Sequence, residues 1–307
     1  MKREKKVILL AGPTASGKSL LAIKLAKYFN GEIINADSMQ IYKEISILTS
    51  KPSEHETKLV KHHLYGIHSV KNKFSTGHWL KRVTKIIEKQ WRKGLTPIVV
   101  GGTGLYFKAL TEGLVKIPDI PDDIRKNVRK IHKKNGQNVF FSRLIKLDPL
   151  AKKFVFPTDS QRSMRAYEVK KFTGKSLFKF IKKTKSKFSN NVFKKLFIHP
   201  PKSILSKKIE ERVDRMFEKG VVEEVKNFSK MKINKDLSSN KIIGIKDIKD
   251  YLRGKITLEQ SKELISQKSR QYAKRQLTWA RGHMKSWELI YSSDLNDLLK
   301  KAINKIS

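Results

Sequence analysis

The feature that most constrains this chain is a loop near its N-terminus, Gly12–Ser19, with the sequence GPTASGKS. It fits the pattern G-x4-G-K-[ST], follows the apolar run Val7–Ala11 and precedes a segment with helical spacing of its apolar residues. Such a strand–loop–helix unit presents backbone N–H groups and a helix N-terminus to a phosphate, and Lys18 adds a positive charge. We therefore expect an α/β protein with a di- or triphosphate site in which Ser19 can ligate Mg²⁺.

Two further apolar runs with the features of buried strands end in residues suited to chemistry. Glu32–Ala36 is followed by Asp37, and Pro97–Val100 is followed by the pair Gly101-Gly102. Helical patterns separate these runs, which predicts parallel strands joined by crossover helices. Because the carboxyl ends of parallel strands share one edge of the sheet, the phosphate loop, Asp37 and the glycine pair are expected to converge there.

The composition changes near Pro118, where a basic segment begins. Lys170–Lys195 contains ten lysines and no acidic residue, and phenylalanines are interleaved with the lysines. We interpret 116–195 as a helical insert in which an amphipathic pair of helices directs phenylalanine inward and lysine outward. Residues 1–115 and 196–307 then form the P-loop catalytic core, with a returning strand at Leu196–His199 and a helical C-terminal region.

The charge balance points to a polyanionic partner. The 307 residues include 68 Lys and Arg against 28 Asp and Glu, a formal net charge of +40. Nucleic acid is favoured over an anionic membrane, and a lysine-rich solvated surface is the alternative. The chain has no cysteine, which excludes disulfides and thiolate metal sites. No apolar run reaches the roughly 18 residues of a membrane span, and the start MKREKK does not lead into a targeting signal, so we expect a cytoplasmic protein without a membrane partner.

The phosphate loop by itself leaves the reaction open. A kinase or ATPase normally places a Mg²⁺-binding acid at a second strand end, whereas Pro97–Val100 ends in glycine. Asp37 can be a metal-linked carboxylate, a general base or a helix N-cap. A nucleotide or small-molecule kinase or ATPase therefore remains an alternative, as does a non-catalytic basic RNA-binding protein.

Four further strings carry a specific resemblance. They are Asp37–Tyr42 (DSMQIY), Gly101–Tyr106 (GGTGLY), Thr158–Arg162 (TDSQR) and Ala273–Trp279 (AKRQLTW). With the phosphate loop, they make the sequence resemble the bacterial tRNA dimethylallyltransferases (tRNA isopentenyltransferase family) over nearly the whole chain. The resemblance implies a P-loop core with an insert that grips the anticodon stem-loop of tRNA. It also implies transfer of a dimethylallyl group from dimethylallyl diphosphate to N6 of the adenosine adjacent to the anticodon, releasing pyrophosphate.

The resemblance further implies which residues form the site. Asp37 accepts the N6 proton, Thr103 and Arg212 complete the catalytic set, and Ser19 holds Mg²⁺. The diphosphate-binding residues are Gly12, Pro13, Thr14, Ala15, Ser16, Gly17, Lys18 and Ser19. The tRNA-binding residues are Asp37, Ser38, Met39, Gln40, Thr103, Arg125, Gln161, Arg162, Ser163, Met164 and Arg165. Local hydrogen bonding by Thr103, ion pairing or plain solvation for Arg212, and plain solvation for Arg125 remain alternatives. We expect a monomer.

The sequence departs from the family pattern at several positions. Met39 stands where the family often has arginine, and Ile245 stands where it has tyrosine. Ser46–Pro52 replaces a glycine-containing loop, and Lys202 and Lys208 replace arginines that give bidentate phosphate contacts. These differences predict altered tRNA contacts but leave the proposed catalytic carboxylate in place. A prenyltransferase acting on free adenine nucleotides is a nearby alternative, although such a substrate needs no basic insert.

Overall fold

The computed structural model describes residues 5–181 and 184–306. In that part of the chain, one parallel sheet has the strand order β3-β2-β4-β1-β5-β6. Its strands are β1 Val7–Ala11, β2 Gly31–Asn35, β3 His62–His63, β4 Thr96–Gly101, β5 Phe193–Ile198 and β6 Glu288–Ile290. The predicted parallel sheet is confirmed. The sequence did not reveal β3 and β6, because strands of two or three residues are too short to show a periodic pattern.

Helices connect and cover these strands. They are α1 Lys18–Tyr28, α2 Glu54–Leu59, α3 Thr76–Arg92, α4 Gly104–Glu112, α5 Asp122–Leu147, α6 Ser160–Thr173, α7 Leu177–Ile181, α8 Lys202–Glu218, α9 Val221–Lys230, α10 Ile245–Leu252, α11 Leu258–His283 and α12 Leu295–Ile306. Capping boxes fix two of the starts, with Ser53 and Glu56 at α2 and Thr257 and Gln260 at α11. No helix within the described residues is long and apolar enough to cross a bilayer.

The sheet is buried on both faces, as the unbroken apolar runs of its central strands require. Alternate residues of β1 point to opposite sides, so Ile8 and Leu10 pack in one cluster with α1 and α12. Val7 and Leu9 pack in the other cluster, which includes residues of α3, α4 and α8–α11. The loops that follow β1, β2 and β4 are thereby fixed at one edge of a rigid sheet.

The chain divides into two compact units. The first consists of Met1–Thr111 together with Phe188–Ser307, and the second is Glu112–Lys187. The insert was predicted to span 116–195, but the second unit ends at Lys187, so the predicted C-terminal boundary lies too far along the chain. The reason is that Phe193 already begins β5, and β5 pairs with β1 along the whole length of β1. The first unit contains the sheet, and the second contains α5, α6 and α7.

The second unit is helical, but its basic part differs from the expected amphipathic pair of helices. Among the described residues between 170 and β5, only the end of α6 and α7 are α-helical, and Phe172 is exposed rather than inward. Phe178 does lie inward, in a small core with Leu144 and Ala166. Phe188 packs with the core of the first unit. Lys182 and Lys183, which belong to the same lysine-rich run, lie outside the described residues.

Candidate active site

The phosphate loop has the geometry that its sequence predicts. Gly17 adopts a left-handed backbone with φ 86°, directly before the first turn of α1. A Cβ on Gly12 would lie 2.9 Å from Ser16 Oγ and 3.0 Å from the Ile198 carbonyl oxygen, so the loop passes close to β5. Lys18 Nζ donates to the Pro13 carbonyl at 2.6 Å, which folds its side chain over the loop. The ammonium group therefore lies beside the backbone amides that would meet a phosphate.

Burial lowers the pKa of Lys18 to about 8. The negative charge of Asp37 opposes this shift, and the positive charge of Arg212 adds to it. Near neutral pH, Lys18 and Arg212 give the loop two partly buried positive charges, and neither forms an ion pair with a carboxylate of the described residues. A diphosphate supplies the missing negative charge, and its binding would favour the protonated form of Lys18.

Asp37 follows β2 and is held by its neighbours. Its backbone N–H donates to Asn35 Oδ1 at 2.7 Å, and its Oδ1 accepts from the Met39 N–H at 2.9 Å. Asn35 is fully buried and also donates to the Leu64 carbonyl at 2.9 Å, so the turn is firmly anchored. The Met39 contact is the only hydrogen bond or ion pair to the Asp37 carboxylate within the described residues. No helix follows, so the helix N-cap alternative is wrong, and one carboxylate oxygen is available to a substrate.

Thr103 joins the ends of β2 and β4. Its Oγ1 accepts from the Ser38 N–H at 3.0 Å and donates to Ser38 Oγ at 3.3 Å. The two strand ends are in close contact, because a Cβ on Gly101 would lie 2.1 Å from the Ala36 carbonyl oxygen. Glycine is therefore required at this strand end, where a kinase or ATPase would carry an acid. The expected convergence of the three loops is confirmed.

Arg212 reaches the phosphate loop from α8. Its Nη1 donates to Thr14 Oγ1, while its Nε is buried and without a hydrogen-bond partner among the described residues. Burial lowers the pKa of Arg212, although the Asp37 charge partly opposes this. No ion pair to Arg212 occurs within residues 5–181 and 184–306, so the ion-pair alternative fails. A guanidinium with unused donors beside a phosphate loop is suited to binding an oxyanion.

Two site residues on α11 were missed as functional residues. Gln276 Oε1 accepts from the Thr14 N–H at 2.8 Å, and its Nε2 donates to the Gly102 carbonyl at 2.9 Å. Tyr272 lies one turn earlier on the same helix face and lines the same cavity as Thr103. Burial raises the pKa of Tyr272, and Asp37 raises it further, so its hydroxyl stays protonated. The only available signal was the AKRQLTW string, in which Gln276 appears without an assigned role.

Two cavities lie at the site, and Gln276 lines both. A cavity of about 600 Å³ is lined by the phosphate loop, Asp37, Arg212 and the segment 46–54. A second, of about 300 Å³, has mainly apolar walls, with Arg275 and Tyr272 also lining it. Its wall residues include Phe107, Phe197, Trp279 and Met284, and Gly12, Thr103 and Gln276 also border it. The site therefore offers a charged compartment and a largely apolar compartment, with Gln276 at the wall of each.

The predicted tRNA-binding residues of the first unit differ in what they can offer. Gln40 Nε2 donates to the Thr49 and Ser50 carbonyls at 2.9 and 2.8 Å, so its amide is used to hold a neighbouring turn. Met39 packs against the main core instead of extending outward as an arginine would. Ser38 is fixed by its hydrogen bond to Thr103.

The predicted tRNA-binding residues of the second unit lie on α5 and α6. Gln161 and Arg162 are exposed in the first turn of α6, where Asp159 caps the helix by accepting from the Arg162 N–H at 3.0 Å. Arg125 lies near the start of α5, Met164 is half-buried, and Arg165 pairs with Glu168.

Ser163 was predicted to bind tRNA, and the structure contradicts this prediction. Its side chain is fully buried, and its hydroxyl donates to the Asp159 carbonyl at 2.7 Å. It also accepts from Gln137 Nε2 at 3.2 Å, which links α6 to α5. The hydroxyl therefore stabilises the second unit and has no surface to offer a ligand.

A phosphate loop, two cationic side chains and an open carboxylate in one cavity define a P-loop enzyme that acts on a diphosphate or a nucleotide. Comparison with known proteins narrows this class. Residues 40–283 match the family model of the IPP transferases. The tRNA dimethylallyltransferase of Pelagibacter ubique is 51% identical over 301 residues, which cover 98% of this chain and 96% of that protein. The one of Rickettsia conorii is 43% identical, covering 90% and 77%.

Solved structures agree with the sequence comparisons. A tRNA isopentenylpyrophosphate transferase from Bacillus halodurans is similar with TM-score 0.69 and 31% identity, covering 99% of this chain and 97% of that one. A eukaryotic dimethylallyltransferase crystallised acting on tRNA gives TM-score 0.82 at 30% identity, with coverage of 98% and 77%. The chain therefore belongs to the IPP transferase family, and its reaction is the transfer of a dimethylallyl group to tRNA. The kinase, ATPase and non-catalytic alternatives are excluded.

Proposed function

We propose that the chain transfers the dimethylallyl group of dimethylallyl diphosphate to N6 of the adenosine adjacent to the tRNA anticodon, and that Asp37 is the general base. The observation that carries this proposal is the open carboxylate of Asp37 in the same cavity as the phosphate loop and Arg212. In the reaction the C1–O bond of the diphosphate ester breaks and a C1–N6 bond forms. The N6 proton passes to Asp37, and pyrophosphate leaves.

The chemistry of the two substrates explains why these groups are needed. The lone pair of adenine N6 is delocalised into the ring, so the amine attacks well only if its proton is accepted as the bond forms. Negative charge builds on the departing diphosphate, and Lys18, Arg212 and the loop amides can stabilise it there. A base within a tRNA loop is unpaired, which lowers the cost of turning it into a buried site.

Mg²⁺ fits the donor set at the phosphate loop. Ser19 is exposed in the first turn of α1, and Asp37 lines the same cavity. Mg²⁺ takes few protein ligands and binds mainly to substrate phosphates and water, so one hydroxyl with a nearby carboxylate is sufficient. When bound, the ion would neutralise charge on the diphosphate.

The apolar cavity is suited to the five-carbon group. Phe107, Phe197 and Met284 provide walls without charge, and Gly12 lies at its border with the phosphate loop. A dimethylallyl chain placed there keeps C1 near Thr103 and away from bulk water. Water would otherwise compete with N6 for the activated carbon.

The second unit supplies a surface suited to the anticodon stem-loop. A groove in this unit, which we call the lysine groove, is bordered by Lys116, Lys175, Lys179, Phe180 and Lys185. None of its four ammonium groups pairs with a carboxylate of the described residues, so they are available to RNA phosphates. Since tRNA is the substrate, we place the reaction in the cytoplasm, and we propose that one chain suffices.

One experiment tests the proposed acceptor directly. The protein is incubated with labelled dimethylallyl diphosphate, Mg²⁺ and unmodified tRNA that reads codons beginning with U, and the label is mapped by nuclease digestion. We expect label on the adenosine adjacent to the anticodon. The same tRNA carrying guanosine at that position should remain unlabelled. Label at another position, or equal labelling of free adenosine monophosphate, would overturn the proposed acceptor.

The lysine groove predicts a change in salt dependence. The double variant Lys175→Gln and Lys179→Gln removes two phosphate contacts, so the slope of log Kd for tRNA against log salt should fall by about 0.7–0.9 per contact. The matched control is Lys300→Gln with Lys301→Gln on α12, which should leave the slope unchanged. Filter binding at several salt concentrations measures both. Equal slopes for the groove variant and the wild type would show that the groove lies outside the tRNA contact.

The lowered pKa of Lys18 predicts a pH dependence of donor capture. Diphosphate binds the ammonium form, so kcat/KM for dimethylallyl diphosphate should fall about tenfold per pH unit above the free-enzyme pKa of about 8. The bound diphosphate holds Lys18 protonated, so kcat should show no fall near that pH. In Lys18→Arg the cation persists at alkaline pH, and the fall near pH 8 should disappear even though activity is reduced. If kcat/KM still falls near pH 8 in Lys18→Arg, a group other than Lys18 causes the fall.

A further inference from the structure

A turn at 45–50 forms part of the wall of the charged cavity. It is held by hydrogen bonds to the side chain of Glu224, which lies on α9. The N–H groups of Ser46, Ile47 and Leu48 all donate to the Glu224 carboxylate, at 2.5, 2.8 and 2.9 Å. These are the first amides of the turn, which have no backbone acceptor available to them. One carboxylate on α9 therefore satisfies three donors that are 176 to 178 positions away in sequence.

The same turn holds the segment that carries Asp37. The carbonyls of Thr49 and Ser50 both accept from Gln40 Nε2. Gln40 lies three residues after Asp37, in the string Asp37–Tyr42. A continuous set of hydrogen bonds thus runs from Glu224 through the turn to Gln40, next to the catalytic carboxylate.

Apolar packing fixes the inner side of the turn but leaves its orientation to these hydrogen bonds. Ile45 and Leu48 are buried in the main core. Thr49 and Ser50 line the charged cavity instead. The Ile47 and Leu48 N–H groups are partly buried, and the Ser46 N–H is exposed. Glutamine at position 224 keeps one neutral oxygen but turns an NH₂ group toward these donors, so at least one of the three loses its acceptor, and the turn can relieve this only by moving.

We propose that Glu224 is a positioning residue for the tRNA substrate, acting through the turn 45–50 and Gln40. The inference rests on the proposed function, because it assigns the Asp37–Gln40 segment to the acceptor side of the site. Glu223 provides a comparison within the same helix, since it is exposed and forms an i,i+3 pair with Lys226 at 3.5 Å. The sequence does not distinguish these two adjacent glutamates.

The test compares Glu224→Gln with Glu223→Gln in the full-length enzyme. For Glu224→Gln we expect KM for tRNA to rise about tenfold, which corresponds to about 1.4 kcal/mol, while KM for dimethylallyl diphosphate stays within about twofold. Hydrogen exchange at the Ser46, Ile47 and Leu48 amides should accelerate at least about tenfold, with protection of α3 unchanged. Glu223→Gln should match the wild type in every measurement.

The outcomes separate positioning from folding. If Glu224 served only general stability, Glu224→Gln would lower kcat through a smaller folded fraction and leave both KM values unchanged, which would overturn the proposal. Glu224→Asp keeps the charge but is one methylene shorter, so it should restore part of the amide protection and part of the KM for tRNA. Unchanged amide exchange in Glu224→Gln would also overturn it. Absence of transfer to tRNA by the wild type would refute the proposed function, and the exchange result would still report on the turn.

Discussion

Replacing Asp37 by asparagine is expected to lower kcat for tRNA prenylation by about 10²–10⁴, the usual contribution of a positioned general base. The amide keeps an oxygen that can accept from the Met39 N–H, so the turn after β2 should be preserved. The lost property is the ability to accept a proton from N6. Rapid-quench measurement of the first turnover, with both substrates saturating, reports this step directly.

The affinity for tRNA shows whether Asp37 acts as a general base or as a residue that binds the substrate. In Asp37→Asn the Kd for tRNA should stay within about threefold of the wild type, because a neutral amide can still hydrogen-bond a base edge. Asp214→Asn on α8 is the matched control, since its exposed carboxylate forms an ion pair with Lys262 and with no other cation in the part of the chain that the structure describes. A loss of tRNA binding that equals the loss of turnover would show that Asp37 is a binding residue instead.

Replacing Arg212 by glutamine is expected to lower kcat/KM for dimethylallyl diphosphate by about 10²–10³, the typical cost of one oxyanion-stabilising donor. The guanidinium is partly buried and donates to Thr14 of the phosphate loop, a contact that no other cation of the described residues makes. Its effect should appear in kcat as well as in KM, because charge on the diphosphate grows as the C1–O bond breaks.

A neighbouring arginine provides the control. Arg215 lies one turn further along α8, is exposed and borders the same cavity. Arg215→Gln should change kcat/KM by no more than about threefold, because solvent screens an exposed charge. Steady-state kinetics with varied diphosphate measures both variants. Equal effects would show that the site responds to overall charge and not to the contact between Arg212 and Thr14.

The fold was largely predictable, and the exceptions have physical causes. The buried strands β1, β2 and β4 are continuous apolar runs, which stand out in a sequence with this much charge. The lysine-rich segment Lys170–Lys195 was wrongly expected to form an amphipathic pair of helices. Its phenylalanines suggested such packing, yet Phe172 is exposed on α6, and Phe188 belongs to the first unit and packs in its core. Alternation of aromatic and basic residues shows which residues prefer burial, but not which core they enter.

The functional site likewise contains residues that the sequence predicted and residues that it did not. Asp37 and Arg212 were expected in the site, and the structure places both at the phosphate-loop cavity. Gln276 and Glu224 were missed, and Ser163 was assigned to a surface that it does not reach. Gln276 resembles any polar residue of an amphipathic helix, and Glu224 resembles any surface acid. Their roles follow from partners that no local pattern identifies.

The sequence by itself determined the phosphate loop, because its glycines, its lysine and the helix that follows are contiguous and dictate their own geometry. It also determined the parallel sheet and the edge at which Asp37 would lie. Only the tertiary structure decided how the site is held. Gln276 supports Thr14 across 262 positions, and Glu224 fastens the cavity wall across 178 at most. Such contacts depend on where distant helices pack against the sheet, and that packing is a property of the whole core.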